Sequence, residues 1–530
     1  MKILYNARIH TLDPNCPVAS VIAIDGERVV AVGGPEILET ASLGARREDM
    51  GGGTILPGLT DAHLHFEKYA LGLQKLDVET PTKQACLQRV AERAARLPAG
   101  EWLLGHGWQH NDWQGPEAGV WPCAADLDAI VPERPVYLTA KSLHAGWANS
   151  EALRLAGIGP ATPDPTNGKI VRDEMGRPSG VLLESAVALL ETVIPQPGPE
   201  AVEQAMLTAQ QTLWRFGLTG VHDFDGPSSF RALQALDAGG ALKMRVVKSI
   251  PLELLPQARE LGLRSGFGND RLRIGSVKVF MDGALGPRTA AMFQPYLNQP
   301  ENRGILNMDS EELCEYGRRA ADVGLSMAVH AIGDWAVHEV LDGFEQLRAY
   351  ERERRLPALR HRVEHVQIIH PDDAPRLGRM GIIASMQPVH VLSDMDAAQQ
   401  TWGDRARLSY AWRTQLDASA PLAFGSDAPV ELPNPFLGLR AAVTRRRADG
   451  FPRPQGWYAE ERLSMQAALE AYTTGAAYAA GMEDRLGRLS PGYYADLVVV
   501  QQDPFDCPPD DLLSLCPSAT MLAGEWLWQS

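Results

Sequence analysis

The sequence predicts an α/β protein built around a (β/α)8 TIM barrel. Eight short apolar runs follow one another along the chain, and most are far enough apart for a strand-helix-strand unit, which needs about 30 residues or more. The predicted strands lie near residues 56–65, 218–224, 244–250, 273–280, 325–330, 362–368, 381–387 and 421–427. Several of these runs end in histidine, lysine or aspartate. A β/α barrel carries its chemistry at these strand ends.

Both termini indicate a second, smaller β unit. Four terminal runs have the apolar character of strands: residues 21–24, 27–32, 494–500 and 521–529. The first two flank Asp25-Gly26, a favoured hairpin turn. Neither terminus is long enough for a domain of its own, so we predict one composite β-sandwich from residues 1–56 and 486–530. The barrel domain would then span residues 57–485.

The segment after the first predicted strand is longer than a barrel requires. About 150 residues separate His65 from Leu218, where one helix and two loops would suffice. We therefore predict an insertion at residues 66–205. It carries five of the twelve tryptophans: Trp102, Trp108, Trp113, Trp121 and Trp147. Because this insertion leaves the carboxyl end of a strand, we expect it to cap the pocket.

Composition speaks against several functional classes. With 50 Lys and Arg against 66 Asp and Glu, the net charge is −16, which repels nucleic acid and anionic lipid. No run approaches the 18 apolar residues of a membrane span, and the first ten residues lack a signal-peptide core. The six cysteines form no C-x-x-C pair. We expect a cytoplasmic protein with free thiols and a small-molecule, amide-type substrate as its partner, and a homodimer is one possible assembly.

Five residues at predicted strand ends indicate a metal site. His63 and His65 close the first strand, and alternate strand residues point to one face, so both imidazoles aim at the same place. His330, His365 and Asp427 end later strands. Each has an ordinary alternative: a chance His-x-His, a buried core histidine, or an aspartate that caps a helix. Their shared position at strand ends favours metal ligation.

Lys278 lies near the end of the fourth predicted strand, within an apolar run where an unpaired ammonium is costly to bury. A salt bridge, a snorkelling side chain and a Schiff-base lysine are three interpretations. An ammonium has no acceptor and cannot bridge two cations. Addition of carbon dioxide would give a carbamate with two ligand oxygens, which is the fourth interpretation. Histidine-rich ligation without thiolates favours zinc, and iron or manganese also fits.

Four further residues are candidates for the pocket wall: Trp108, His144, His222 and His390. Tryptophans of an insertion are as often core residues, and isolated histidines are more often structural. We therefore hold a substrate contact for each of these four residues as a hypothesis.

The sequence resembles the amidohydrolase superfamily of metal-dependent hydrolases, and its N-substituted formamide deformylase-like branch in particular. The resemblance rests on residues 278–290, on Glu364-His365 and on residues 330–334 and 425–429. It implies that the four histidines are metal ligands, that Lys278 is a carboxylated bridging lysine, and that Asp427 is both ligand and proton shuttle. It also implies the same sandwich-and-barrel arrangement.

The reaction that follows from this resemblance is hydrolysis of a non-peptide C–N bond by a metal-activated hydroxide. The substrate would be an amide, an N-substituted formamide or a cyclic amide. Two alternatives belong to other classes. One is a metal-free lyase that uses Lys278 as a Schiff base, and the other is a non-catalytic regulatory or scaffold relative.

Overall fold

The structure is a computed structural model that describes residues 1–40, 44–98, 100–110, 113–115, 119–140, 145–165 and 168–530. It contains two compact units. The first combines Met1–Ala70 with Val202–Ser530, and the second is Leu71–Ala201. Among the helices of the described residues, none has the length and apolar character needed to cross a bilayer.

Eight parallel strands form the barrel, and their order in the sheet is their order along the chain, which confirms the predicted fold class. The strands are β1 (Leu59–Leu64), β2 (Leu218–Asp223), β3 (Arg245–Pro251), β4 (Leu272–Phe280), β5 (Ser326–Ala331), β6 (Arg362–His365), β7 (Ile383–Met386) and β8 (Leu422–Phe424). Two backbone hydrogen bonds join the ends of β1 and β8. Asp427 N donates to His63 O at 2.7 Å, and His65 N donates to Ala428 O at 2.8 Å.

Helices of varied length follow the barrel strands. The helices of the first unit outside the termini are Phe66–Gly72, Pro199–Arg215, Pro227–Ala238, Leu255–Glu260, Ser310–Ala321, Asp334–Arg354, Arg376–Met380, His390–Trp402, Trp412–Asp417, Pro435–Thr444, Met465–Ala471 and Thr474–Ala480. Ser310–Ala321 shows how the sequence sets their ends. Asp309 caps it by accepting from Glu312 N at 2.8 Å, and Leu313 and Cys314 lie on its buried face.

Two sheets are formed mainly by the chain termini. One has the order Arg28–Gly33, Val21–Asp25, Lys2–Tyr5, Arg46–Asp49, and the helix Glu36–Thr40 lies between its strands in sequence. The other has the order Glu525–Gln529, Pro517–Leu522, Leu497–Val500, Thr54–Pro57, Arg8–His10, Val18–Ala19. Ile22, Ile55, Leu497 and Met521 belong to one apolar core. N-terminal and C-terminal strands therefore share a sheet and a core.

Two strand predictions need correction. The run near residues 56–65 contains two strands, because Thr54–Pro57 pairs with Leu497–Val500 before β1 begins. The run 521–529 is not one strand, because it crosses the turn of an antiparallel hairpin formed by Pro517–Leu522 and Glu525–Gln529. Its turn holds Ala523 and Gly524 at φ values of 51° and 76°, and this left-handed backbone ends a strand.

The unit Leu71–Ala201 has a six-stranded sheet of its own. The strand order is Gly168–Arg172, Pro178–Glu184, Ala145–Ala148, Val136–Ala140, Leu103–Trp108, Leu76–Asp77. Its helices are Lys83–Ala94, Ala124–Asp128, Ser150–Leu155 and Val187–Glu191. Trp108, Trp113 and Trp147 are at most 2% exposed and form its core with aliphatic neighbours. That this unit caps the pocket stays a prediction.

Candidate metal centre

The two histidines at the end of β1 meet Asp427 at the end of β8. Asp427 Oδ1 lies 3.4 Å from His63 Nε2 and 3.5 Å from His65 Nε2. The ligand atoms of these three residues all lie within 4.8 Å of one another, as they would around a single cation. The predicted strand-end convergence of His63, His65 and Asp427 is therefore present in the structure.

The hydrogen-bond partner of each imidazole ring shows which ring nitrogen is unprotonated. Three of the predicted histidine ligands have Nδ1 against a side-chain oxygen: His63 against Glu364 at 2.7 Å, His65 against Asp225 at 3.0 Å and His365 against Gln387 at 2.8 Å. A carboxylate or amide oxygen accepts, so Nδ1 carries the proton and the lone pair is on Nε2. Metal-ligating histidines are commonly held by an outer partner of this kind.

His330 has the opposite arrangement. Its Nε2 donates to the Gly283 carbonyl at 2.9 Å, so its free lone pair is on Nδ1. The ring centroid of His365 lies 4.6 Å from that of His330 and 4.9 Å from that of His63. The histidines of β1, β5 and β6 thus form one cluster, and each offers one unprotonated nitrogen.

His390 lies beside this cluster, at the first position of the helix His390–Trp402. His365, His390 and Asp427 form a second group whose ligand atoms all lie within 4.8 Å of one another. The sequence alone predicts only a place in the pocket wall for His390. Its Nε2 is 3.2 Å from the carbonyl oxygen of Ser426, the residue before Asp427. Asp427 is common to both groups and is therefore the centre of the site.

The backbone at the ends of β6 and β8 is strained. His365 has a φ of 76° and Asp427 a φ of 60°, a left-handed conformation that costs a non-glycine residue free energy. These turns end both strands sooner than the sequence predicted. Gly425 makes the close approach possible, because a Cβ there would lie 2.5 Å from His63 N. Such strain persists only where surrounding contacts impose it, and functional sites are its usual location.

Asp61 supplies part of that constraint, and sequence reasoning missed it. Its Oδ1 accepts from His63 N at 3.1 Å and Ser426 N at 3.0 Å, and its Oδ2 accepts from Ser426 Oγ at 2.5 Å. Burial raises the pKa of Asp61 to about 7, against the lowering effect of these hydrogen bonds. One sequence signal could have revealed it: Asp61 is a carboxylate inside an apolar predicted strand, two residues before His63.

Lys278 lies on β4 with its side chain buried. Within the described residues its ammonium makes no hydrogen bond or ion pair, and its nearest defined contacts are the rings of Phe224 at 4.6 Å and Phe280 at 4.9 Å. The salt-bridge interpretation is therefore not what the structure shows. Burial lowers the pKa of Lys278 to about 8, although Glu364 and Asp427 oppose the shift. A neutral amine, the form that reacts with carbon dioxide, is accessible near neutral pH.

Arg362 anchors the outer partner of His63 and was also missed by sequence reasoning. It donates to both carboxylate oxygens of Glu364, at 2.5 and 3.0 Å, and to Ser385 Oγ at 2.5 Å. Burial alone would raise the pKa of Glu364, but the positive charges of Arg362 and Lys278 lower it. Glu364 therefore stays ionised beside His63 and holds its tautomer.

Burial keeps the imidazoles of three candidate ligands neutral. It lowers the pKa of His330 to about 3 and the pKa values of His63 and His365 well below the usual range, and the charge of Lys278 adds to the effect. Neutral imidazoles bind cations through their lone pairs. The donor set of neutral nitrogens and a carboxylate therefore suits a divalent cation such as zinc.

The remaining candidates for the pocket wall have different outcomes. Trp108 is 0% exposed, its indole N–H donates to the Leu138 carbonyl at 2.8 Å, and other aromatic rings surround it. We correct that prediction, since Trp108 is a core residue of its own unit. His222 accepts from Arg362 at 2.9 Å inside the barrel, and its substrate contact stays a prediction. His144 lies outside the described residues.

Comparison with known proteins gives the same family that the motifs suggested. The model of the amidohydrolase family matches residues 47–527. YtcJ of Bacillus subtilis is 34% identical over 91% of this chain and 90% of its own length. N-substituted formamide deformylase of Arthrobacter pascens is 28% identical over 98% and 97%.

A solved structure agrees with these sequence relatives. The crystal structure of an uncharacterized metal-dependent hydrolase from Pyrococcus furiosus has a TM-score of 0.78 and 31% identity. The match covers 95% of this chain and all of that one. The strand-end histidines, the barrel and the family match lead to one conclusion: this chain belongs to the amidohydrolase family.

Proposed function

We propose that this protein is a metal-dependent hydrolase that cleaves a non-peptide C–N bond in an amide, N-substituted formamide or cyclic amide. The observation that carries the proposal is the convergence of His63 Nε2 and His65 Nε2 on one oxygen of Asp427, at 3.4 and 3.5 Å. The likeness to N-substituted formamide deformylase and to a metal-dependent hydrolase supports the reaction class.

The cation, proposed to be zinc with iron or manganese as alternatives, would be held by His63, His65, His330 and His365, with Asp427 and a carboxylated Lys278. A divalent cation bound there lowers the pKa of water and polarises a carbonyl oxygen. In this proposal Lys278 becomes a ligand only as its carbamate, because the ammonium has no lone pair. Two cations would need that bridging anion to limit their mutual repulsion.

Asp427 is the proposed proton carrier. Its carboxylate lies against both β1 histidines, so it is next to any water bound between them. It accepts the proton of the attacking water and then donates that proton to the departing nitrogen, so one carboxylate serves both halves of the reaction. His390 borders the same space and is the proposed substrate contact, since its ring stacks along that of His365 at 6.4 Å.

The test is a substrate screen on metal-loaded protein, with N-substituted formamides, acyl amines and cyclic amides beside matched esters and phosphoesters. We expect release of an amine from at least one C–N substrate, loss of turnover on chelation, and its return with zinc. Cleavage of esters or phosphoesters alone would overturn the reaction class and leave the metal site standing.

The same samples separate the two alternatives. A Schiff-base lyase would keep its activity after chelation, and borohydride would trap its substrate on Lys278. A regulatory relative would turn over nothing in the screen while retaining metal. Lys278→Ala adds a direct test of the carbamate: it should lose bound metal and recover in part with short carboxylic acids, whereas Lys243→Ala, a change at the surface, should do neither.

A further inference from the structure

A cavity lies at the amino-terminal halves of the barrel strands β4 and β5. It has a volume of about 510 Å³, and its wall includes Arg273, Gly275 and Ser276 of β4 and Ser326 of β5. Lys278 and the metal-site histidines lie toward the carboxyl ends of these strands. The cavity is therefore separate from the proposed catalytic centre, and the proposed reaction gives it no role.

The wall of this cavity is cationic. Three arginines line it, Arg264, Arg273 and Arg360, and none of its lining residues is an aspartate or glutamate. Arg360 is paired with Glu483 at 2.5 Å. The side chain of Arg264 makes no hydrogen bond or ion pair with any residue in the described part of the chain. Within the described residues, Arg360 therefore has an ion-pair partner, whereas Arg264 and Arg273 have none.

Arg273 is the least satisfied of these side chains. Its Nη2 donates to the Gly266 carbonyl at 3.0 Å, but Nε and Nη1 are buried and have no hydrogen-bond partner within the described residues. Burial and the charge of Arg485 lower the pKa of Arg273, and the carboxylates of Asp270 and Asp484 oppose this shift. Guanidinium nitrogens with unused donors are groups that an anion would stabilise.

Neighbouring hydroxyl groups do not supply the missing acceptor. Ser265 Oγ donates to the Gly275 carbonyl at 2.6 Å, and the hydroxyls of Ser276 and Ser326 bond to each other at 2.8 Å. These serines make a polar wall whose own hydrogen bonds are largely complete. The unused donors of Arg273 therefore have no acceptor among these hydroxyl groups.

We propose that this cavity binds a small oxyanion, of the phosphate or carboxylate class, between Arg273 and Arg264. The planar guanidinium of Arg273 would bind two oxygens of the anion, and Arg264 would add a second positive charge from the mouth of the cavity. A volume of about 510 Å³ exceeds what a bare phosphate needs, so the anion can be part of a larger metabolite.

The test uses the full-length protein with inorganic phosphate and, separately, with succinate. Chloride keeps the ionic strength constant, and the melting temperature is followed by calorimetry. A ligand that binds the folded state raises that temperature in a saturable way. We expect such a rise in the wild type and about a tenfold weaker half-saturation in Arg273→Gln, since a charge-assisted hydrogen-bond donor is lost. The anion with the lower half-saturation concentration identifies the chemical class of the ligand.

Phosphate also binds metal ions, so it could act at the histidine cluster. The variants are therefore compared with one another, because all of them keep the same histidines. Arg259→Gln is the matched control, because Arg259 lines another groove, of about 600 Å³, together with Glu253. Arg264→Gln is the second test variant, since its exposed side chain can change without affecting folding. A wild-type response no larger than that of chloride would overturn the proposal. So would equal responses of Arg264→Gln, Arg273→Gln and Arg259→Gln.

Discussion

The barrel interior and the unit Leu71–Ala201 bury opposite kinds of side chain. Inside the barrel, Arg362, Glu364 and His63 form a chain of hydrogen bonds. In the other unit, Trp108 and Trp147 bury large rings, with ring centroids 6.1 Å apart. Buried polar groups fix the orientation and the protonation state of their partners, whereas buried aromatic rings stabilise the fold through buried apolar area and ring contacts.

Because of this difference, we expect substitutions in the two regions to have different effects. A change in the barrel network should alter metal binding or turnover while the fold survives, because neighbouring partners still hold the backbone. A change in the tryptophan core should lower the free energy of unfolding while leaving the chemistry of folded molecules unaltered. The predictions below test whether the two regions are as distinct as their burial suggests.

The largest effect on turnover is expected for Asp427→Asn. Removing a general base costs about 10²–10⁴-fold, so kcat should fall by that range while metal content, read by plasma emission spectrometry, stays near the wild-type value. Asp372→Asn is the matched control, since its side chain is 92% exposed. Near-normal turnover in Asp427→Asn would remove Asp427 as the proton carrier.

Trp108→Ala should have the largest effect on stability. Deleting a fully buried tryptophan costs about 3–5 kcal/mol, which should appear as an earlier transition in denaturant unfolding. Trp121→Ala, at 44% exposure in the wild type, should cost much less. If Trp108→Ala instead raised KM with little loss of stability, the substrate contact first suggested for this residue would be restored and the comparison broken.

Glu364→Gln is expected to weaken metal binding. Loss of an outer partner of a ligating histidine typically costs 10–100-fold in metal affinity, because ring orientation and basicity both change. Competition with a chromogenic chelator measures that affinity. Glu345→Gln, whose carboxylate is 69% exposed, should leave it unchanged. Equal affinities for Glu364→Gln and wild type would mean that Arg362 and Glu364 serve packing alone.

The sequence was sufficient for the barrel because each strand is a short apolar run with its own ends. The predicted strand near 273–280 corresponds to β4 at Leu272–Phe280, for example. The run 521–529 was misjudged because its hairpin turn depends on the left-handed Ala523 and Gly524. Apolar character continues across that turn, so the sequence pattern alone does not mark it.

Site residues divide in a similar way. His63, His65, His330 and His365 were visible because each ends a run and has a chemically specific side chain. Asp61 was not visible as part of the site, because its partner Ser426 is 365 positions away. Arg362 was missed for the same reason, since two of its partners, His222 and Ser385, lie on other strands of the barrel. Pairing across a barrel is a property of the closed fold.

Ser426→Ala should produce the smallest of the four effects and tests how Asp427 is held. It removes the Oγ that donates to Asp61 at 2.5 Å and accepts from Ala428 N at 3.1 Å. The backbone bond from Ser426 N to Asp61 remains, so the strained turn should loosen rather than collapse. Loss of two hydrogen bonds predicts a fall in kcat of about tenfold with unchanged metal content.

Ser514→Ala is the control for that measurement, because its exposed hydroxyl bonds to the Asp511 carbonyl, away from the histidine site. A fall in metal content as large as the fall in kcat would show that Ser426 supports the histidines and not the carboxylate. An unchanged kcat would show that the left-handed turn at Asp427 is held by Gly425 and the barrel closure alone. Turnover that declines while metal is retained would show that the Asp61–Ser426 contact orients the site, as the polar groups inside the barrel do. The tryptophan core, by contrast, contributes to stability.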